Sequence, residues 1–251
     1  MTLQMTVSPD FAPDYIPGWY IFNTWLQKQL GEGIHLELYN NFADQREAIR
    51  NDQVDIIYAN PFDASMLIRE KGFKALVRPS NKHDEAVIVV NAQHPAMRVE
   101  DLPPESRLVF TSDPDVHLIG MIMLEPADLH MDNLQTKEVD SYVLVAKNLL
   151  RNEADIGFFL KEAFYDLSNF IREQLRILVE SEISVVHHTL LVGPRLQGKR
   201  EQIRELLLNM SADSKGQGVL ESLGFQFWEN VAEEDVEFMI DLMDTLVTPA
   251  S

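Results

Sequence analysis

A chain of 251 residues with 45% hydrophobic side chains can form one large domain or two of ordinary size. Its net charge of −19 argues against nucleic acid and anionic membrane surfaces as partners, and the absence of cysteine excludes a disulfide framework, a thiolate metal site and a cysteine nucleophile. No apolar run approaches the roughly 18 residues of a membrane span, so direct membrane insertion is not expected.

The first part of the chain predicts an alternation of strands and helices. The predicted strands are 3–8, 34–39, 55–59, 74–77 and 86–91, and the predicted helices are 19–30, 44–51 and 62–70. Such alternation with short connections is typical of a largely parallel, doubly wound sheet. The apolar run 86–90 shows no polar alternation, which indicates a strand covered on both faces.

The same pattern restarts after Asn91. The predicted strands are 107–111, 136–139, 176–179 and 189–192, and the predicted helices are 141–151, 199–209, 215–223 and 233–246, with a further helix opening at Asp-Pro-Asp, 113–115. Ile203, Leu206 and Leu207 form the core-facing stripe of one of them. The whole chain therefore predicts an α/β fold.

A short sequence pattern occurs twice, about a hundred residues apart, at 49–58 and at 150–159. In each copy an amphipathic stretch ends in Arg-Asn, crosses a few polar residues, and enters an apolar run at Asp-Ile. This arrangement predicts a helix–turn–strand unit in each of two similar α/β lobes, which would close around a ligand.

Two apolar segments, 87–91 and 185–191, are the expected crossings between the lobes. No low-complexity linker separates the halves of the chain, and paired crossings form a hinge. We therefore predict that lobe 1 comprises 1–88 and 190–251, and that lobe 2 comprises 89–189.

Several motifs, taken in order and spacing, carry a family resemblance. They are Ser-Pro-Asp-Phe-Ala-Pro at 8–13, the Ala-Ile-Arg unit that leads to Val-Asp-Ile at 54–56, Asn-Pro-Phe at 60–62, Asp-Pro-Asp at 113–115 and Leu-Glu-Ser-Leu-Gly-Phe at 220–225. The chain resembles the phosphate/phosphite/phosphonate-binding family of periplasmic solute-binding proteins. The resemblance implies a type II periplasmic binding protein fold, with two Rossmann-like lobes joined by a two-strand hinge, a ligand in the cleft and delivery to an ABC importer.

The chain also departs from the family pattern. Val116 and His117 stand where the family usually has Ser and Thr, Tyr142 replaces a His after Ser, and His187-His188 replaces Asn-Asp. The side chain of Val116 cannot donate a hydrogen bond, and an unpaired buried phosphonate oxygen costs a few kcal/mol. The comparison implies poor recognition of simple alkylphosphonates and a ligand that is bulkier, more apolar or differently charged, such as another oxyanion or organophosphorus-like compound.

Strand-to-helix turns, the first loop and the return crossing supply the candidate ligand contacts, which are expected to converge on one inter-lobe cleft. These are Phe11, Tyr15, Asn60, Phe62, Asp63, Asp115, His117, Ser141, Tyr142, Phe158 and His188. Each has an ordinary alternative, since Asp and Ser also cap helices and aromatic residues also fill cores. One of Phe158 and Phe159 is expected to face the ligand and the other the core. Asp55 and Asp155 are expected to be structural turn residues.

No catalytic motif, cofactor or metal site is predicted. Adjacent histidines on a strand point to opposite faces, so His187 and His188 cannot share one ion from regular strand geometry. Besides Lys147, the second-lobe lysines near strand ends are Lys137 and Lys161, and neither of these two lies in a recognisable motif. An enzyme on this scaffold, like the pyrimidine-precursor synthases of thiamine biosynthesis, is therefore the least favoured function.

The favoured function is a solute-binding protein that captures a small ligand and delivers it to an ABC permease. The alternative is a sensory module of the same fold, in which closure signals to a partner such as a sensor kinase. A monomer is expected. The protein is expected to be periplasmic if a signal peptide was removed, and otherwise cytoplasmic.

Overall fold

The structure is a computed structural model that describes residues 2–11 and 13–247, without the side chains of 233 and 243–247. Met1, Ala12 of the first-loop motif and residues 248–251 of the predicted first lobe lie outside the described residues. Within the described part of the chain, no helix is both long enough and apolar enough to cross a bilayer.

Strands and helices alternate along most of the described chain. The strands are β1 (Leu3–Val7), β2 (Ile34–Glu37), β3 (Ile56–Ala59), β4 (Lys74–Pro79), β5 (Ala86–Asn91), β6 (Arg107–Phe110), β7 (Gln135–Glu138), β8 (Ile156–Leu160), β9 (Leu175–Glu180), β10 (Thr189–Val192) and β11 (Trp228–Asn230). The helices are α1 (Ile16–Leu30), α2 (Phe42–Arg50), α3 (Pro61–Lys71), α4 (Pro114–Leu124), α5 (Tyr142–Leu150), α6 (Lys161–Tyr165), α7 (Asn169–Arg172), α8 (Arg200–Leu208), α9 (Ser214–Ser222) and α10 (Glu233–Val247). The predicted α/β fold is confirmed, and β11, α6 and α7 are elements that the sequence pattern did not predict.

The chain divides into two compact units. Unit 1 is formed by Met1–His83 and His187–Ser251, and unit 2 by Asp84–Val186. The chain therefore leaves unit 1 after residue 83 and returns to it after residue 186.

Each unit contains one mixed sheet. The strand order is β11-β4-β10-β3-β1-β2 in unit 1 and β7-β6-β8-β5-β9 in unit 2. Strand β1 runs parallel to β2 and β3, and β6 runs parallel to β7 and β8. Strand β10 is antiparallel to β3 and β4, and β5 is antiparallel to β8 and β9.

The prediction of a largely parallel sheet is therefore wrong for part of each sheet. Strands β5 and β10 are the first strands after the chain has entered a unit, and each arrives through an extended connection without a crossover helix. A parallel neighbour needs such a crossover, whereas an antiparallel neighbour does not.

The sheet of unit 1 is covered on both faces, which explains the apolar run in β3. Ile56 and Tyr58 join the core cluster that contains Trp19 of α1. Ile57, whose side chain points the other way, joins the cluster that contains Leu67 of α3. In unit 2, Val145 and Leu149 of α5 pack with Phe159 of β8. These cores hold the carboxyl ends of the strands in place.

Candidate ligand-binding site

Asn60, which directly follows β3, organises the strand ends of unit 1. Its side-chain oxygen accepts a hydrogen bond from the backbone N–H of Asp63 at 2.8 Å, which caps α3. Its Nδ2 donates to Ser8 Oγ at 3.2 Å and to Asp63 Oδ2 at 3.0 Å. The buried amide therefore joins the loop after β1 to the start of α3.

Asp63 is buried and neutralised inside unit 1. Arg46 of α2 donates from Nε to Asp63 Oδ1 at 2.6 Å and from Nη2 to Oδ2 at 3.2 Å. The same guanidinium lies 4.9 Å from the ring centre of Phe62 and 5.1 Å from that of Phe42. The half-buried Phe62 is thus held in place on the first turn of α3.

His188 forms an ion-pair contact directly before β10. Its Nε2 lies 3.1 Å from both carboxylate oxygens of Asp10, and its ring stacks on Tyr58 at 5.2 Å. Burial would raise the pKa of the Asp10 carboxyl, but the charge and hydrogen bond of His188 and a hydrogen bond with Ser8 outweigh it and hold the pKa below its ordinary value.

These contacts form one continuous polar network in unit 1. It runs from the residue before β10 across the loop after β1 to the first turn of α3 and on to α2, through residues that are far apart in sequence. Its members are His188, Asp10, Ser8, Asn60, Asp63 and Arg46. Every carboxylate in it faces a cation or a hydrogen-bond donor, so the network presents fixed dipoles at the strand ends.

The aromatic residues of the first loop line the edge of the unit 1 core. Phe11 and Tyr15 are partly buried and pack against the main cluster. Gly224 has φ +71°, and a Cβ there would lie 2.8 Å from the Tyr15 ring, so this turn needs glycine for both conformation and space. Trp19 is core, while Tyr20 is 52% exposed.

The start of α4 in unit 2 is capped by its own acid. Asp113 Oδ1 accepts hydrogen bonds from the backbone N–H groups of Asp115 at 3.2 Å and Val116 at 3.3 Å. The hydroxyl of Tyr142 donates to Asp113 Oδ2 at 2.8 Å. A carboxylate thus already occupies two of the amides that make a helix start attractive to anions.

His117 lies in an apolar pocket on α4. Its ring centre is 4.4 Å from that of Phe110 and 6.1 Å from that of Phe158. Burial lowers the pKa of His117 below its ordinary value. Its imidazole is therefore neutral at neutral pH and offers one N–H donor.

The second helix start of unit 2 carries Ser141 and Tyr142. The Ser141 hydroxyl caps α5 by accepting from the backbone N–H of Leu144 at 3.4 Å. Tyr142 stacks on Phe159 at 5.8 Å. Phe158 and Phe159 are both fully buried, and Phe158 lies so close to α4 that a Cβ at Gly120 would be 2.6 Å from its ring.

The structure places each candidate within one of two groups. Asn60, Phe62, Asp63 and His188 belong to the polar network of unit 1 or its border. The candidates of unit 2 are linked through the Asp113 carboxylate and the rings of Phe158 and Phe159: they are Asp115, His117, Ser141, Tyr142 and Phe158. Phe11 and Tyr15 lie on the core edge of unit 1.

Sequence reasoning missed Ser8, Asp10 and Arg46 of the polar network, and Tyr58, which stacks on His188. Asp10 stands in the Ser-Pro-Asp loop, at a position after β1 that matches the position of Asp113 after β6, and this match is a usable signal. Arg46 contacts Asp63, which is 17 residues away in the sequence. Tyr58 contacts His188, which is 130 residues away. A single sequence gives no signal for such contacts.

The comparison with family models matches residues 5–236 to the periplasmic substrate-binding proteins of ABC phosphonate transporters. The chain belongs to this family of transporter substrate-binding proteins, which is not an enzyme family. Proteins of this class bind a small ligand and work with a membrane permease. The search of curated proteins found no match.

Solved structures share the fold over almost the whole chain. PhnD1 from Prochlorococcus marinus in complex with methylphosphonate superposes with a TM-score of 0.81 at 14% identity over 98% of both chains. A binding protein of an ABC phosphonate transporter from Pseudomonas aeruginosa gives 0.75 at 14% identity over 99% of this chain and 89% of the other. The aliphatic sulphonate binding protein SsuA from Escherichia coli gives 0.67 at 12% identity over 98% and 86%.

Proposed function

We propose that this protein captures a substituted phosphonate- or sulfonate-like ligand and delivers it to the permease of an ABC importer. The family match over residues 5–236 carries the proposal. It is supported by the placement of capped helix starts and half-buried polar and aromatic side chains after the strands of both units. Open α/β sheets bind ligands at such strand ends.

The proposed ligand contacts fall into two kinds. The half-buried side chains are proposed to touch the ligand directly: Phe11, Tyr15, Phe62, His117, Ser141, Tyr142 and His188. The buried ones are proposed to act by holding the helix starts and walls that surround it: Asn60, Asp63, Asp115 and Phe158.

The ligand is proposed to differ from a small alkylphosphonate. Val116 offers only its backbone N–H, and that group already donates to Asp113. A dianionic headgroup at the same helix start would also meet the Asp113 carboxylate, which Tyr142 holds in place. A ligand with a larger apolar substituent gains from aromatic contacts what it loses in charge-assisted hydrogen bonds.

The proposal includes a non-catalytic role, a periplasmic location and a monomeric state. The buried carboxylates of Asp63 and Asp113 are engaged in an ion pair and a helix cap, and this supports binding without chemistry. Phosphorus NMR after prolonged incubation with phenylphosphonate should return the compound unchanged. Sedimentation velocity should give the mass of one chain.

A thermal-shift panel tests the ligand class. A compound present at 1,000 times its Kd would stabilise the folded protein by about 4 kcal/mol. Phosphate, methylphosphonate, phenylphosphonate and butanesulfonate are therefore compared at one common concentration. We expect the largest shift with phenylphosphonate or butanesulfonate. A native mass spectrum of the purified protein would identify a co-purifying compound of the same class. No shift with any of the four compounds would contradict the proposed ligand class.

A further inference from the structure

Glu85 is a buried acid that the proposed ligand site does not use. It stands between the point where the chain enters unit 2 and the start of β5. As a residue, Glu85 is 9% exposed. The segment that leads back towards unit 1 begins at Ser181, directly after β9, and lies beside it.

The hydrogen bonds described for the Glu85 carboxylate all come from this return segment. Oε2 accepts from the hydroxyl of Ser181 and from the backbone N–H of Ile183 at 3.1 Å, and Oε1 accepts from the backbone N–H of Ser184 at 2.7 Å. An ionised carboxylate that accepts several donors in a buried place forms strong hydrogen bonds. One side chain therefore satisfies two backbone groups of a segment without secondary structure.

Backbone contacts join the same two segments on either side of the carboxylate. The N–H of Asp84 donates to Val186 O at 2.8 Å, and the N–H of Ser181 donates to Ala86 O at 2.9 Å. The Ser181 hydroxyl also accepts from the N–H of Ala86 at 2.9 Å. The outgoing and return segments are thus bonded as a pair up to the residues where the chain changes unit.

The return segment holds a conformation that its sequence does not favour. Ser184 has φ +59°, in the left-handed region that is uncommon for residues other than glycine, asparagine and aspartate. Its side chain is exposed, so side-chain packing does not impose this conformation. Its N–H bond to Glu85 is the contact that holds it.

We propose that Glu85 is a positioning residue that clamps the return segment to unit 2 as far as Val186. Bending between the two units is then confined to residues 83–84 and 186–187, where the chain passes from one unit to the other. The clamp itself follows from contacts within unit 2, while its effect on ligand release rests on the proposed function.

Hydrogen exchange of the ligand-free protein tests the clamp. Glu85→Gln replaces one acceptor oxygen by an amide that cannot accept from the backbone N–H groups it faces. We expect the amides of Ile183 and Ser184 to exchange at least about tenfold faster, as local opening becomes easier. Glu182→Gln is the matched control, because Glu182 is an exposed neighbour in the same segment, and it should leave these rates unchanged. Unchanged exchange in folded Glu85→Gln protein would overturn the proposal.

Ser181→Ala is the second variant, and it decides the matter if Glu85→Gln does not fold. It removes one donor to the carboxylate without placing a new polar group there. Exchange at Ile183 and Ser184 should then rise about two- to fivefold, and no rise would reject the clamp.

Stopped-flow fluorescence with phenylphosphonate separates the clamp from general destabilisation. A looser return segment should raise the dissociation rate about tenfold in Glu85→Gln and leave the association rate unchanged. Equal rates in the variant and the wild type would contradict the effect on release. If phenylphosphonate does not bind the wild type, the proposed ligand class fails, and the exchange experiment still decides the clamp.

Discussion

The turn that leads into β3 of unit 1 and the turn that leads into β8 of unit 2 are built alike, at positions that differ by 100. Asn41 and Ser141 cap the preceding helices with their side chains. Asp52 and Asn152 take the left-handed conformation after the helices, with φ 53° and 54°. Each is a residue type that tolerates this conformation, so both helices end at the same place in the repeat.

The repeated aspartates make the same pair of bonds to the neighbouring strand. The Asp55 N–H donates to Gln4 O at 2.8 Å, and its carboxylate accepts from the Gln4 N–H at 2.8 Å. Asp155 repeats this with Arg107, at 2.8 Å and 2.9 Å. The predicted structural role of both residues is thus visible as a clamp between two parallel strands.

The two copies differ once the chain reaches the far ends of their strands. In unit 1, Asn60 caps the next helix and Gln45 bonds to Thr6 and to Val7 O. In unit 2 the equivalent positions hold Leu160, which makes no side-chain cap, and the apolar Val145. The strand starts are built alike in both units, whereas the residues at the strand ends differ.

The largest difference between the copies is expected inside the cores. Ile57 is fully buried in unit 1, while its counterpart in unit 2 is Gly157. Ile57→Ala should lower the free energy of unfolding by about 4 kcal/mol, because it leaves a cavity. Urea unfolding measures this, with the exposed Ile21→Ala as control, which should cost well under 1 kcal/mol. A similar loss for the two variants would mean that the two faces of the sheet are not packed as described.

The aspartate clamp should be worth more in unit 1 than in unit 2. The Asp55 side chain is 2% exposed and the Asp155 side chain is 27% exposed, and each pairs with a partly exposed arginine, Arg195 and Arg107 respectively. Asp55→Asn should cost about 3 kcal/mol and Asp155→Asn about 1 kcal/mol in urea unfolding. Equal costs would show that the deeper burial of the Asp55 ion pair adds no stability.

Gly157 should resist enlargement. A Cβ at this position would lie 2.8 Å from methyl groups of Leu149 and Val145. Gly157→Ala should therefore cost about 2 kcal/mol, because the core of unit 2 has to shift. The exposed Gly198, with no neighbour within 4 Å of a Cβ, is the control, and its replacement by Ala should be close to neutral. A neutral Gly157→Ala would refute the close packing of α5 on β8.

The smallest expected effect is the change at low pH in the stability that Asp155 contributes. The hydrogen bond from Arg107 lowers the pKa of Asp155. A lowered folded pKa gives stability that is present above the unfolded pKa of about 3.9 and is lost as the pH falls through the folded value. The gap in unfolding free energy between wild type and Asp155→Asn should thus be constant from pH 7 to about pH 5 and shrink below about pH 4. A gap that widens in acid would reverse the sign of this linkage.

Periodicity predicted the helices and strands well because each has one face or two faces in a core, as Ile56 and Ile57 show. The two copies of the repeat agree less closely in residue identity than in backbone conformation. The Arg-Asn pairs do not coincide: Asn51 ends its helix, while Asn152 takes the left-handed position that Asp52 holds in the first copy. Either Asn or Asp tolerates that left-handed conformation, so the Arg-Asn pair is shifted by one position between the two copies.

The site residues were only partly predictable. Helix-capping residues such as Asn60 and Ser141 can be recognised in the sequence by their residue type and their position before a helix. The contact of Asp10 with His188 joins residues 178 apart, and it depends on β10 returning beside β3. Nothing local in the sequence specifies that pairing, so the polar network of unit 1 could not be predicted.

Calorimetry with methylphosphonate at pH 8 tests most directly whether the proposed ligand contacts of unit 2 bind simple alkylphosphonates poorly. We predict a Kd weaker than about 1 µM, and a gain of about tenfold or more in Val116→Ser, which restores a hydroxyl at the start of α4. The exposed Val143→Ser is the control and should bind like the wild type. At pH 8 the His117 imidazole is neutral, because burial keeps its pKa below the ordinary value, so it adds no positive charge to the binding measured there. Micromolar or tighter binding by the wild type at pH 8 would contradict the account, since backbone amides alone would then suffice.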